Sequence, residues 1–111
     1  TLPRAAQVKF LNATVAQLPT AGGEFADILL AWKQGKPDEL GARMNRAMLG
    51  SEELADALLF KRNERWASWI KSRLDQPGSV FVAVGAGHLA GEKSVQDYLT
   101  KHGLNAERIA Y

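Results

Sequence analysis

The stretch SVFVAVGAGHLAGEKSVQDYL, residues 79–99, decides the fold that this sequence predicts. Residues 79–84 are apolar and rich in β-branched side chains, which is typical of a short strand buried on both faces. The glycine-rich turn GAGH follows at residues 85–88, and helical spacing resumes at Val95. Ligands of open α/β sheets bind beyond the carboxyl ends of the strands. His88 therefore lies where a binding site is expected.

Upstream of this stretch, the spacing of apolar residues predicts three or four helices. Glycine and proline breaks at residues 19–23, 50–51 and 77–78 separate the apolar stripes, and Ser51 can cap the helix that follows it. The pattern leaves open whether one helix or two run from there to Leu74. Three tryptophans fall on apolar stripes and are predicted to pack in the core rather than to stack on a ligand: Trp32, Trp66 and Trp69.

The last third is predicted to form a strand, a turn, a helix and a second strand. Ser94 is expected to cap that helix and Gly103 to end it. Two strands joined by a helix form a parallel pair, which needs neighbouring strands and cover on both faces. The predicted fold class is therefore α/β: mainly helical residues 1–75, then the strand-turn-helix-strand unit of residues 79–111. This unit is expected to be part of a larger fold, whose sheet is completed by missing upstream sequence or by a second copy of the chain.

The composition limits the classes of function. A chain of 111 residues forms one domain at most, and a net charge of +2 without clustered Lys and Arg does not point to nucleic acid. The absence of cysteine excludes disulfides and thiolate chemistry. No apolar run approaches the roughly 20 residues that a helix needs to cross a bilayer. These totals indicate a globular domain and leave its chemistry to individual residues.

Two polar residues interrupt an apolar helical face. Arg62 and Asn63 precede Trp66 by four and three residues, so on a helix they share its face. Burying a guanidinium and an amide is costly unless both are hydrogen-bonded or charge-paired. They either form a polar cluster that reaches toward His88 or face water at a frayed helix boundary. Spacing alone leaves both interpretations open.

His88 and Glu92 are the candidates for chemistry around the glycine turn. A lone histidine makes no metal site, because zinc sites almost always take at least three protein ligands. The other histidine, His102, is expected at a helix end, where the helix dipole stabilises it. Glu92 is predicted to be an acid/base group beside the turn or a simple charge at a helix N-terminus. The turn lacks the lysine and the spacing of a phosphate-binding loop.

The segments RNERWASWI (62–70) and VFVAVGAGHLAGEKSVQDYL (80–99), with Gly103 after them, resemble the C-terminal part of the TraB/GumN family, which includes the Tiki-type proteins. The segment ILLAWKQGKPDEL (28–40) is similar to the family's aWxxGd region. The resemblance implies an α/β fold and metal-dependent hydrolase activity. Tiki-type members are membrane-associated proteases, and bacterial members of the family point to the cell envelope or periplasm.

The family signature is a pair of Gly-x-x-His motifs, of which residues 85–88 match the second. The first has no match in this sequence, and Arg62 and Asn63 match the family's Arg-Asn pair. The resemblance implies that His88 is a ligand of a divalent metal (Mn, Co or Zn). It also implies that Gly85 and Gly87 shape the pocket, while Arg62 and Asn63 orient the substrate or the groups that surround the metal ligands.

Two functions follow from these expectations. The first is the C-terminal segment of a metal-dependent hydrolase, with peptides as a candidate substrate class, inactive without an N-terminal half. The second is a non-catalytic module that associates through its sheet edge, either with the missing N-terminal half or with a second copy in an oligomer. Metal binding that depends on His88 distinguishes the two.

Overall fold

The computed structural model describes residues 2–49 and 51–109, and most of these residues are helical. Short 3₁₀ turns lie at Leu18–Thr20 and Ala86–His88, and a π-helical turn lies at Asp56–Phe60. The α-helices of the described ranges are α1 (Arg4–Gln17), α2 (Ala21–Lys33), α3 (Pro37–Leu49), α4 (Glu52–Ala55), α5 (Lys61–Leu74) and α6 (Val95–Lys101).

The predicted helices are present, with small differences at their ends. The first break is shorter than predicted, because α2 begins at Ala21 and includes both following glycines. The π-helical turn joins α4 to α5, so one helical run extends from Glu52 to Leu74. Ser51 precedes this run in extended backbone, but its side chain makes no capping hydrogen bond. Gly50, which was part of the predicted break, lies outside the described residues.

The α/β prediction is wrong, because the described residues contain no strand and no sheet. Residues 79–85 and 104–109 have no regular secondary structure where the two strands were predicted. A β-branched run favours extended backbone, but strand propensity depends strongly on pairing and burial. The middle of the first predicted strand has neither, since Phe81 is 91% exposed. The strand-turn-helix-strand unit is thus an irregular segment, a 3₁₀ turn, α6 and a second irregular segment.

The helices form a flat arrangement with a small core. The molecule measures 49 × 37 × 18 Å, and its contiguous buried cluster consists of Ala55, Leu59 and Phe60. The core prediction is wrong for two tryptophans, since Trp32 is 66% exposed and Trp69 is 55% exposed. None of the helices in the described ranges has the length and apolarity needed to cross a bilayer.

Packing of α3 against the 3₁₀ turn positions the candidate site. A Cβ atom placed on Gly41 of α3 would lie 2.3 Å from Cβ of Ala90, so only glycine permits this approach. One turn further along α3, Asn45 Nδ2 donates a hydrogen bond to the carbonyl of Gly87 over 3.1 Å. The turn that ends in His88 is therefore held to α3 on both sides of the histidine.

The α6 boundaries follow the sequence prediction. The hydroxyl of Ser94 accepts a hydrogen bond from the Asp97 backbone N–H over 3.3 Å, which confirms Ser94 as the N-cap. Gly103 follows the last turn with φ of +76°, a left-handed conformation that favours glycine. The packing of α6 on α5 brings the segment after the 3₁₀ turn back toward Asn63.

Candidate functional site

His88 is the last residue of the 3₁₀ turn and points toward α5. Its backbone N–H donates to the Gly85 carbonyl over 2.9 Å, which closes the turn. Its ring is half-buried, and Nδ1 lies 2.6 Å from Oδ1 of Asn63. The structure therefore joins two residues that are 25 positions apart in the sequence and were both predicted to belong to the site.

Asn63 connects the two ends of the segment from His88 to Lys93. Its side chain is 0% exposed, and its Nδ2 donates to the Lys93 carbonyl over 2.8 Å while its Oδ1 contacts His88. Both polar groups of the buried amide are thus hydrogen-bonded, which offsets the free-energy cost of burying them. For Asn63, the interpretation as a residue at a water-facing helix boundary does not hold.

These two hydrogen bonds determine the tautomer of His88. A carbonyl can only accept, so the bond to the Lys93 oxygen identifies the donating end of the Asn63 amide. The other end, Oδ1, is an acceptor and requires a hydrogen on His88 Nδ1. In the neutral ring, the lone pair is then on Nε2. The arrangement offers Nε2 as a ligand or base.

Trp66 packs against the imidazole and also holds Arg62. The ring centroids of Trp66 and His88 are 4.7 Å apart with an angle of 51° between the planes. The Arg62 guanidinium carbon lies 5.2 Å from the centroid of the Trp66 ring. Burial of His88, followed by the nearby charge of Arg62, lowers the pKa of the imidazole below its ordinary value. Both effects favour the neutral form, which is the form that binds metals.

Gly87 packs against α3, and Gly85 begins the turn. A Cβ atom on Gly87 would lie 3.0 Å from Oδ1 of Asn45, so a larger residue would press on that amide. Gly85 adopts an ordinary extended conformation, with φ of −63° and ψ of 144°. The structure shows why Gly87 is small. The predicted role of Gly85 and Gly87 in shaping a cofactor pocket stays a prediction.

Glu92 makes no hydrogen bond or ion pair with the His88–Asn63 pair in the part of the chain that the structure describes. Its side chain is exposed and lines a cleft of about 340 Å³ together with Asp38 and Phe60. Among the described residues it makes no hydrogen bond or ion pair with His88. The structure does not bring Glu92 to the imidazole, and its acid/base role stays a prediction.

The described residues do not assemble a metal site around His88. No group of three or more His, Asp or Glu side chains gathers within residues 2–49 and 51–109. His102 follows the last residue of α6, as expected, and its Nε2 lies 3.3 Å from Ser68 Oγ. Since structural and catalytic zinc sites take three or four protein ligands, a metal on His88 needs further ligands.

Two features of the site were not predicted from the sequence. Trp66 was assigned to the core, yet its ring contacts both His88 and Arg62. Lys93 was not singled out, although its carbonyl orients Asn63 and its ammonium lies 4.6 Å from the centroid of the buried Phe60 ring. The four-residue spacing placed Arg62 on the Trp66 face, but no local signal indicated that Trp66 contacts His88. The Lys93 contacts link distant parts of the sequence and left no local signal.

Comparison with known proteins identifies the class to which this chain belongs. The model of the TraB/PrgY/gumN family matches residues 1–108, so the chain belongs to that family. A curated relative, Metalloprotease TIKI1 from Xenopus tropicalis, is 42% identical over 50 residues. These residues are 43% of this chain and 10% of TIKI1, so the similarity covers a small part of that relative. No solved structure matches the chain.

Proposed function

We propose that this chain is the C-terminal segment of a metal-dependent hydrolase that acts on peptide bonds, and that His88 is one of its metal ligands. The observation that carries the proposal is the bond between His88 Nδ1 and buried Asn63, which leaves Nε2 available. Membership of the TraB/PrgY/gumN family and similarity to a protein named a metalloprotease support the same class. The segment alone is expected to be inactive.

The residues around His88 fit one position of a metal site. Imidazole nitrogen suits Zn²⁺, Co²⁺ and Mn²⁺, and metal-bound histidines commonly donate their other N–H to a fixed acceptor, as His88 does to Asn63. The remaining ligands would come from an N-terminal half of the protein or from a second copy. A divalent metal held in this way supplies an activated water for attack on a carbonyl carbon.

The other residues of the site have supporting roles in this proposal. Asn63 fixes the orientation and tautomer of His88. Trp66 shields one side of the imidazole from water, and Arg62 places a positive charge beside it.

Calorimetric titration of Zn²⁺, Co²⁺ and Mn²⁺ tests the proposal. The unsubstituted chain is expected to bind at least one of these metals weakly, and His88→Ala is expected to lose that binding. His102→Ala is the matched control and is expected to retain binding, because His102 contacts Ser68 rather than Asn63. Equal binding heats for the chain and His88→Ala, or no binding in either, would contradict the metal-ligand role.

A second candidate function, association without catalysis, is favoured by the extended shape of the chain and by its exposed apolar side chains. The radius of gyration is 15.9 Å, whereas a compact chain of this length has about 13 Å. Phe81 and Ile109, on the two irregular segments, are 91% and 80% exposed. With no sheet among the described residues, such association would use these side chains instead of a sheet edge. The partner would be an N-terminal half or a second copy.

Light scattering tests association with a second copy. If exposed apolar side chains of the irregular segments form the contact, the chain is expected to be a dimer that Phe81→Ser dissociates. Phe25→Ser is the control, since Phe25 is a similarly exposed phenylalanine on α2. A monomer at all concentrations would contradict association between copies. A dimer weakened equally by both substitutions would contradict the assignment to the irregular segments.

A further inference from the structure

The cations beside His88 have no acidic partners in the part of the chain that the structure describes. No Asp or Glu oxygen there lies within 4.0 Å of Arg62 or Lys93. Arg43, by contrast, pairs with Asp27 at 2.8 Å and with Glu39 at 3.2 Å. The charges of Arg62 and Lys93 are therefore not paired with a carboxylate in the described residues.

Arg62 is the member of this group that contacts the same aromatic ring as His88. Its guanidinium lies over the Trp66 ring, and the same ring packs against His88. A guanidinium that stacks on an aromatic ring keeps its N–H donors at its edges, where they are free for a further ligand. Because stacking already restricts the side chain, binding an anion there requires less additional ordering.

We propose that Arg62 binds a carboxylate group of the substrate, next to His88. The guanidinium is a planar fork of N–H donors that matches a carboxylate with two parallel hydrogen bonds. The identification of this ligand as a substrate rests on the proposed function. The substrate would be a peptide that carries a carboxylate near the bond to be cleaved. Binding itself involves Arg62 and Trp66 and needs no metal.

The experiment is a titration of the ¹⁵N-labelled chain, without metal, followed by NMR. N-acetylalanine is expected to shift the Trp66 indole and His88 backbone signals, whereas its neutral analogue N-acetylalaninamide is not. Arg62→Gln is expected to weaken N-acetylalanine binding by about tenfold or more, because it removes two charged hydrogen bonds and the loss of one alone typically costs about tenfold. Arg46→Gln, a change of an exposed arginine whose nearest acid is Glu24 at 3.9 Å, is the matched control and is expected to bind normally.

One further ligand distinguishes the source of the carboxylate. N-acetylglutamic acid α-amide carries only a side-chain carboxylate, so a stronger response to it than to N-acetylalanine identifies an acidic side chain instead of a peptide C-terminus. Equal responses to N-acetylalanine and its amide, or unchanged binding in Arg62→Gln, would overturn the inference. Tighter binding of inorganic phosphate than of both carboxylates would also overturn it.

His88→Ala separates this inference from the proposed function. Because Trp66 rather than His88 holds Arg62, that variant is expected to bind N-acetylalanine as the unsubstituted chain does while losing metal. Carboxylate binding without metal binding would contradict the metal-ligand role alone. Metal binding without carboxylate binding would overturn the Arg62 inference alone.

Discussion

Asn63→Ala is expected to lower the free energy of unfolding by about 2 kcal/mol, because it removes a fully buried side chain with two hydrogen bonds. Water can reach His88 and the Lys93 region in part, which keeps the loss below that of a completely sealed pair. The variant should also lose the fixed His88 tautomer, since the acceptor for Nδ1–H is gone. Urea unfolding followed by tryptophan fluorescence gives the free energy.

Asn12→Ala is the matched control for this prediction. Asn12 is exposed on α1, so the same chemical change there is expected to alter the free energy of unfolding by less than about 0.5 kcal/mol. If Asn63→Ala is no more destabilising than the control, the buried amide does not hold the His88–Lys93 segment against α5.

Gly41→Ala is expected to lower the free energy of unfolding by about 1–3 kcal/mol through overpacking. The added Cβ atom would lie 2.3 Å from Cβ of Ala90 and 3.4 Å from its Cα, so either α3 or the turn must move. Removing the opposing methyl group should relieve the clash, so Gly41→Ala combined with Ala90→Gly should be more stable than the sum of the two changes implies. Urea unfolding of the four chains measures this coupling.

Gly22→Ala is the control for the effect of alanine in a helix. Gly22 lies in α2 with no atom within 4 Å of an added Cβ, so this change is expected to stabilise the chain by about 0.5–1 kcal/mol. A decrease in the free energy of unfolding for Gly41→Ala and an increase for Gly22→Ala would separate the effect of steric contact from that of helix propensity. A stabilising Gly41→Ala would contradict the close approach of α3 to the turn.

The helices could be predicted from the sequence because their signals are local. Apolar spacing located the helical stretches, and Gly35 and Gly103 mark helix ends with φ of +63° and +76°. Local signals could not decide whether the two predicted strands form, since a strand is defined by hydrogen bonds to another segment. The apolar run at residues 79–84 meets no such segment in the described chain, and the resemblance to an α/β family did not supply one.

The candidate site was predictable to the extent that its residues share a helix face or a motif. Asn63 and Trp66 are three positions apart on α5, and His88 ends the Gly-x-x-His turn. Sequence proximity was misleading for Glu92, which is four residues from His88 but lines a cleft that does not include His88. The contacts of Asn63 with both His88 and Lys93 depend on how α5 packs against α6 and the preceding turn, and only the structure shows them.

The proposed metal-ligand role of His88 depends most on Asn63, which holds the imidazole with hydrogen on Nδ1 and a free lone pair on Nε2. Two-bond ¹H–¹⁵N correlation NMR of the imidazole, above the lowered pKa of His88, measures this directly. We predict a protonated Nδ1 and an unprotonated Nε2 in the unsubstituted chain, and a mixture of tautomers in Asn63→Ala. A hydrogen on Nε2 in the unsubstituted chain would contradict the site geometry and the metal-ligand role that follows from it.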